Sequence, residues 1–75
     1  MDIADQYKLI AEEAGLTVGQ VGTYLAQVLP QSDGSWLVYF GVEADRDPEV
    51  SGKLPASKTI RISKEKVEGY EHGNG

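Results

Sequence analysis

The first part of the chain carries apolar residues with the spacing of an amphipathic helix. They recur at intervals of three or four residues, at Ile3, Tyr7, Ile10 and Ala14. This spacing places them on one face of a helix. Asp2 precedes the stripe and is a candidate N-cap, because its carboxylate can accept a backbone N–H from the first turn. The pattern predicts a helix over residues 3–14.

Gly15 follows this helix, and a second helix is predicted directly after it. Glycine suits a helix end because it adopts positive φ without a Cβ clash. Thr17 with Gln20 three residues later has the form of a capping box. We expect the second helix to run from residue 18 to residue 28 or 29, where Pro30 ends it.

Two later stretches have the composition and alternation of β-strands. Residues 36–42 are rich in aromatic and β-branched residues. One face of this strand, predicted to be buried, consists of Trp36, Val38, Phe40 and Val42. The other face presents Leu37 and Tyr39, which we expect to contact a partner or a second copy. Residues 58–64 alternate in the same way, with Ile60 and Ile62 inward and Arg61 outward.

These elements predict an α+β fold in which two N-terminal helices pack on a two-stranded antiparallel hairpin. We expect one domain over residues 1–70 and a flexible tail over residues 71–75. Residues 43–57 are polar and predict a long acidic loop between the strands, and residues 65–70 predict a short extension or one helical turn. Because an isolated hairpin is marginally stable, we expect any third strand to come from a second copy in a homodimer.

The composition excludes several kinds of chemistry. The chain has 75 residues, a formal net charge of −5 at pH 7, no cysteine and one histidine. Disulfides and thiolate metal sites are therefore excluded. No apolar run reaches the roughly 18 residues of a membrane span. We expect a soluble cytoplasmic protein that has no cofactor, bound metal or membrane association.

Catalytic motifs are also missing from the sequence. It offers no Ser/His/acid or Cys/His set and no glycine-rich phosphate loop after a strand. Residues 45–49 hold three carboxylates but lack the glycine and the distant glutamate of an EF-hand loop. We expect a protein that is not an enzyme.

The predicted corner has the apolar and small residues of a known DNA-binding unit. They are Ile10, Ala11, Gly15, Leu16 and Val21, with Thr17 at the cap. Over residues 7–26 the chain resembles the helix-turn-helix of bacterial repressors, including the lactose-repressor and MerR-type families. The resemblance implies a minimal winged-helix arrangement whose second helix enters the major groove of duplex DNA. Thr17, Gln20 and Thr23 then occupy DNA-facing positions.

The C-terminal part of the chain is the only basic part. Residues 53–75 contain five Lys and Arg against three Glu, whereas the rest of the chain is acidic. Arg61, Lys64 and Lys66 are candidate phosphate contacts on the second strand. Alternatively, these cations form a solvated face that discourages pairing at a strand edge.

Two functions remain open from the sequence. The first is a small DNA-associated transcription regulator of the helix-turn-helix type. The alternative is an acidic, non-enzymatic protein-binding module, such as an inhibitor, adaptor or assembly subunit of a phage or other mobile element. In the alternative, the acidic surface binds a basic protein partner.

Overall fold

The computed structural model describes residues 2–73 and has the predicted α+β class. In chain order its elements are α1 (Ile3–Ala14), α2 (Val18–Tyr24), β1 (Leu25–Pro30), β2 (Trp36–Phe40), a 3₁₀-helix (Val42–Arg46), α3 (Pro48–Ser51), β3 (Thr59–Ile62) and α4 (Lys64–Gly73). No helix among these residues is long and apolar enough to cross a membrane.

Helix α1 has the bounds predicted from its apolar stripe. Asp2 is the N-cap, and its Oδ1 accepts the backbone N–H of Asp5 at 2.8 Å. Ile10 and Ala14 are buried, whereas Ile3 at the start of the stripe remains 68% exposed. The helix therefore packs against the core through its second half.

The corner between α1 and α2 forms as predicted. Gly15 has φ +74° and ends α1 in the left-handed conformation. Thr17 and Gln20 form a complete capping box, in which each side chain accepts the backbone N–H of the other residue. A Cβ on Gly22 would lie 3.5 Å from the ring of Tyr7, so α1 and α2 approach closely at this point.

The predicted extent of the second helix is wrong, because α2 ends at Tyr24 and residues 25–30 form strand β1. Leu25 already has extended backbone angles, φ −64° and ψ 127°. Glycines in α2 reduce its intrinsic stability by about 1 kcal/mol each. In β1, by contrast, Val28 and Leu29 pair with Val38 and Leu37 of β2. Pro30 ends the edge strand instead of a helix, a position where its missing N–H is tolerated.

The sheet has three strands in the order β1-β2-β3, and both pairings are antiparallel. The prediction of a two-stranded hairpin therefore needs correction. The chain itself supplies the third strand, so pairing does not require a second copy. The turn between β1 and β2 contains Gly34 at φ +91°. Its conformation is held by Asp33, whose Oδ1 accepts the backbone N–H and the hydroxyl of Ser35.

The ends of β2 and β3 lie inside the predicted ranges. Because β2 ends at Phe40, Val42 is not on its buried face but begins the 3₁₀-helix, where it is 75% exposed. Lys58 has φ +55°, a left-handed conformation that precludes a regular strand, so β3 begins at Thr59.

The segments predicted as loop and extension contain short helices. Residues 43–57 hold most of the 3₁₀-helix and all of α3, and the Asp47 side chain caps α3 by accepting the N–H of Glu49. Helix α4 covers residues 65–70 and continues to Gly73, into the segment predicted as a tail. Residues 74 and 75 of that segment lie outside the described residues.

One apolar core joins the helices to a single face of the sheet. That face contributes the buried side chains of Trp36, Val38, Phe40 and Ile62. The same cluster contains Ala44 of the 3₁₀-helix, Val50 of α3 and Val67 of α4, together with residues of α1 and α2. The short helices therefore cover this inner face together with α1 and α2.

Candidate functional site

The opposite face of the sheet, here called the outer sheet face, is a candidate binding surface. Strand alternation assigns six residues to it: Gln27 and Leu29 of β1, Leu37 and Tyr39 of β2, and Thr59 and Arg61 of β3. In the register, Leu29 lies opposite Leu37, which lies opposite Arg61. Gln27, Tyr39 and Thr59 form the neighbouring row.

The apolar residues of the outer sheet face are not part of the core. Leu29 is 36% exposed, and Leu37 and Tyr39 are half-buried. None of the three belongs to the core cluster, and the half-buried residues that pack against the cluster include Val28 and Ile60 but not Leu37 or Tyr39. Cross-strand neighbours therefore account for the partial burial of Leu37 and Tyr39. An apolar patch is left open to solvent on this side of the sheet.

Sequence reasoning identified two of these residues and missed the third. The structure places Leu37 and Tyr39, the predicted partner surface, on the outer sheet face and brings them together with Leu29. The sequence does not predict Leu29 on this face, because its apolar spacing places residues 25–29 in a helix. The signal that could have found it is Pro30, which ends an edge strand as readily as it ends a helix.

An ion pair lies at one end of the outer sheet face. Arg61 Nη2 donates to Asp33 Oδ2 at 3.1 Å, and both side chains are more than half exposed. Hydrogen bonds from the Ser35 hydroxyl and backbone N–H, and then from Arg61, lower the pKa of Asp33 to about 2. Asp33 therefore carries a full negative charge near neutral pH, and it neutralises Arg61.

A carboxylate lies at the other end of this face. Gly41 continues β2 in an extended conformation, φ −72° and ψ 161°, and its N–H donates to the Tyr24 carbonyl. A Cβ on Gly41 would point to the same side as Tyr39, and it would lie 2.6 Å from Glu43 Oε2. The carboxylate of Glu43 thus covers the backbone at Gly41. It forms no ion pair with any described residue.

Two other acidic residues beside Glu43 are engaged within the protein. Asp45 Oδ2 forms an ion pair with Lys58 Nζ at 2.8 Å. Asp47 accepts the Tyr24 hydroxyl at 3.1 Å, and this hydrogen bond, with burial and the carboxylate's charge, raises the pKa of Tyr24. Within the described part of the chain, no group of three or more acidic or histidine residues is arranged to hold a metal ion.

The predicted DNA-facing residues of α2 are engaged in local hydrogen bonds. Thr17 Oγ1 accepts the Gln20 N–H at 3.1 Å, and Gln20 Oε1 accepts the Thr17 N–H at 2.9 Å. The hydroxyl of Thr23 donates to the Gly19 carbonyl at 2.9 Å. To contact a base edge, the amide oxygen of Gln20 would have to leave the capping box.

The predicted basic strand is not formed as expected. Only Arg61 lies on β3, whereas Lys64 and Lys66 lie on α4. Each of the three has a carboxylate partner: Lys64 is 4.0 Å from Glu68, Lys66 is 3.3 Å from Glu13, and Arg61 pairs with Asp33. Their side chains remain more than half exposed. The structure therefore spreads these cations over two elements, each beside a negative charge.

Comparison of the chain with models of protein families, with curated proteins and with solved structures gives no match. The resemblance of residues 7–26 to a helix-turn-helix stays a prediction.

Proposed function

We propose that this chain is an acidic, non-enzymatic protein-binding module that acts in the cytoplasm and binds a basic partner protein through its outer sheet face. The observation that carries the proposal is the open apolar patch of Leu29, Leu37 and Tyr39, which no part of the core uses. Exposed apolar patches rimmed by polar residues mark protein interaction sites in soluble proteins.

The area of this face is smaller than the area that a stable interface buries. Five-residue strands are about 17 Å long, and three of them span about 14 Å. The outer sheet face therefore covers about 240 Å² in projection, whereas a stable interface buries about 800 Å² on each partner. A partner must also contact flanking residues, and Glu43, which is exposed and lies against Gly41, continues the face beyond Tyr39.

Charge favours a basic protein over a second copy as the occupant. Each chain carries a net charge of −5, so association of two copies brings like charges together. A cationic side chain in a partner would instead pair with Glu43, which has no ion-pair partner of its own in the described structure. Complementary charge at an interface rim raises the association rate and the selectivity.

The test is capture of a partner protein by the immobilised full chain. The wild type is compared with two variants in which one exposed apolar residue is replaced by aspartate. Leu29→Asp places a charge in the patch, whereas Ile3→Asp places the same charge at an exposed apolar residue of α1. We expect the wild type and Ile3→Asp to retain the same basic protein, identified by mass spectrometry, and Leu29→Asp to lose it. Circular dichroism checks that each variant is folded.

Two results would contradict the proposal. Equal retention by Leu29→Asp and Ile3→Asp would show that binding does not use the outer sheet face. A dimer in sedimentation that Leu29→Asp dissociates would show that this face is occupied by a second copy.

A DNA-associated regulator is the second candidate, and the corner of α1 and α2 favours it. Gly15 in the left-handed conformation and the capping box at Thr17 are features that the helix-turn-helix resemblance requires. The charge of the molecule and the engaged side chains of α2 argue against it.

A further inference from the structure

A groove separate from the outer sheet face lies where α1, the start of α2 and α4 meet. Its volume is about 480 Å³, within the range of pockets that hold small organic ligands. The lining residues are Lys8, Ala11, Glu12, Leu16, Thr17, Val18 and Tyr70. None of them lies on a strand, so this groove and the outer sheet face are distinct surfaces.

The interior of the groove is apolar. Ala11 and Leu16 are buried and belong to the core cluster. Val18 is 45% exposed, although it begins a helix that is anchored by buried Val21. A ligand with an apolar body would cover Val18 and gain the free energy of removing its surface from water.

The rim of the groove holds one cation and one anion. Lys8 and Glu12 lie one turn apart on α1, both are exposed, and neither forms an ion pair with a described residue. Their neighbour Glu13, by contrast, is paired with Lys66. The hydroxyl of Thr17 accepts the Gln20 N–H and donates to no acceptor in the described structure, so its proton is available to a ligand.

We propose that this groove binds a small zwitterion with an apolar body, of the size of an aromatic amino acid. Lys8 and the Thr17 hydroxyl would receive the carboxylate, Glu12 would receive the ammonium group, and the apolar body would lie on Leu16 and Val18. Residues one helical turn apart have their Cβ atoms about 5–6 Å from each other. A singly charged ligand is therefore attracted by one rim charge and repelled by the other, whereas a zwitterion is attracted by both.

The test is titration of the ¹⁵N-labelled full chain, followed by amide chemical shifts, with three probes of equal apolar size. They are L-phenylalanine, 3-phenylpropionate, which lacks the ammonium group, and 2-phenylethylamine, which lacks the carboxylate. We expect saturable shifts over residues 8–18 and about three- to fivefold tighter binding of L-phenylalanine than of either analogue, the effect of one exposed ion pair.

Charge-removing variants of similar shape complete the experiment. Lys8→Gln should abolish the preference over 2-phenylethylamine, and Glu12→Gln should abolish the preference over 3-phenylpropionate. Glu49→Gln, at an exposed residue of α3 outside the groove, should preserve both preferences. Equal binding of all three probes would reduce the groove to a general apolar site and overturn the proposal. So would the absence of saturable shifts up to the solubility limit of L-phenylalanine, or a preference that survives both groove variants.

Discussion

The carboxylate of Asp33 accepts hydrogen bonds from two separate parts of the sheet, Ser35 and Arg61. Its Oδ1 holds the turn between β1 and β2 through two hydrogen bonds from Ser35, and its Oδ2 holds Arg61 on β3. One carboxylate thus links the turn between β1 and β2 to β3, the edge strand on the other side of β2. The hydroxyl of Ser35 is buried, so its 2.6 Å hydrogen bond to Asp33 also satisfies a polar group that would otherwise be left unpaired.

These hydrogen bonds predict a dependence of stability on pH. The pKa of Asp33 is lowered from 3.8 to about 2, so the contribution of its carboxylate to stability is present above about pH 4 and is lost as the pH falls toward 2. We expect Asp33→Asn to make the urea midpoint depend less steeply on pH over this window than in the wild type.

The cause of the pKa shift can be tested separately by NMR titration of the Asp33 carboxyl group. Ser35→Ala should raise the pKa toward 3.8 by more than Arg61→Gln does, because the hydrogen bond from the Ser35 hydroxyl is the largest single cause of the shift and Arg61 is exposed. A larger rise in Arg61→Gln would show that the ion pair dominates instead.

At the scale of elements, the corner after α1 depends on the backbone of one glycine. Gly15 has φ +74°, and a Cβ there would approach only Lys53 Cδ, at 3.9 Å. The cost of a side chain is therefore conformational and not steric crowding by neighbours. We expect Gly15→Val to lower the free energy of unfolding by more than about 1 kcal/mol, since a β-branched residue is strained at positive φ.

Urea denaturation measures this effect, and the chain offers a matched control. Gly69 lies in α4 with open space around its Cβ position. Because valine has a higher helix propensity than glycine, Gly69→Val should leave stability unchanged or raise it. An unchanged midpoint in Gly15→Val would contradict the need for glycine at this corner.

The sequence predicts elements well where one local pattern dominates. Helix α1 and the capping box at Thr17 have the predicted bounds and contacts, and the centre of β2 is buried as its alternation indicates. Segment 25–30 is different, because Leu25, Val28 and Leu29 have spacings that fit a helix as well as a strand. The conformation of this segment is decided by its pairing with β2. A pattern within residues 25–30 cannot show which other strand will pair with them.

The candidate site depends on the same missing information. Leu37 and Tyr39 could be identified from alternation along β2, since alternate residues of a strand share a face. Leu29 joins them only through the register of β1 with β2. Glu43 reaches the end of the face only because Gly41 has no side chain, an arrangement that depends on where β2 ends.

At the scale of the whole molecule, the helices and the sheet form two layers, with the core between them. The sheet contributes its inner face to this core, and the outer sheet face remains open. Among residues 2–73, one layer of helices encloses a single core and leaves the second face of the sheet without a cover. The proposed partner could therefore bind the outer sheet face without any loss of core packing.

Binding of duplex DNA separates the two candidate functions of this molecule. We expect the wild type not to bind duplex DNA. Fluorescence anisotropy of labelled DNA from about 50 mM to about 200 mM salt measures this. The net charge is −5, and Arg61, Lys64 and Lys66 each lie beside a carboxylate. A protein that binds phosphates releases counterions, and each contact adds about one unit to the slope of log K against log salt.

The opposite outcome has its own signature. A DNA-binding wild type whose salt slope falls by about one unit in Arg61→Gln would establish a phosphate contact at that residue. Loss of preference between operator sequences in Gln20→Ala would then identify Gln20 as a base-contacting residue. Because Gln20 is also part of the capping box, the helix content of this variant must match that of Thr17→Ala, which breaks the same box. Sequence preference retained in Thr17→Ala but lost in Gln20→Ala would favour the DNA-associated regulator over the protein-binding module.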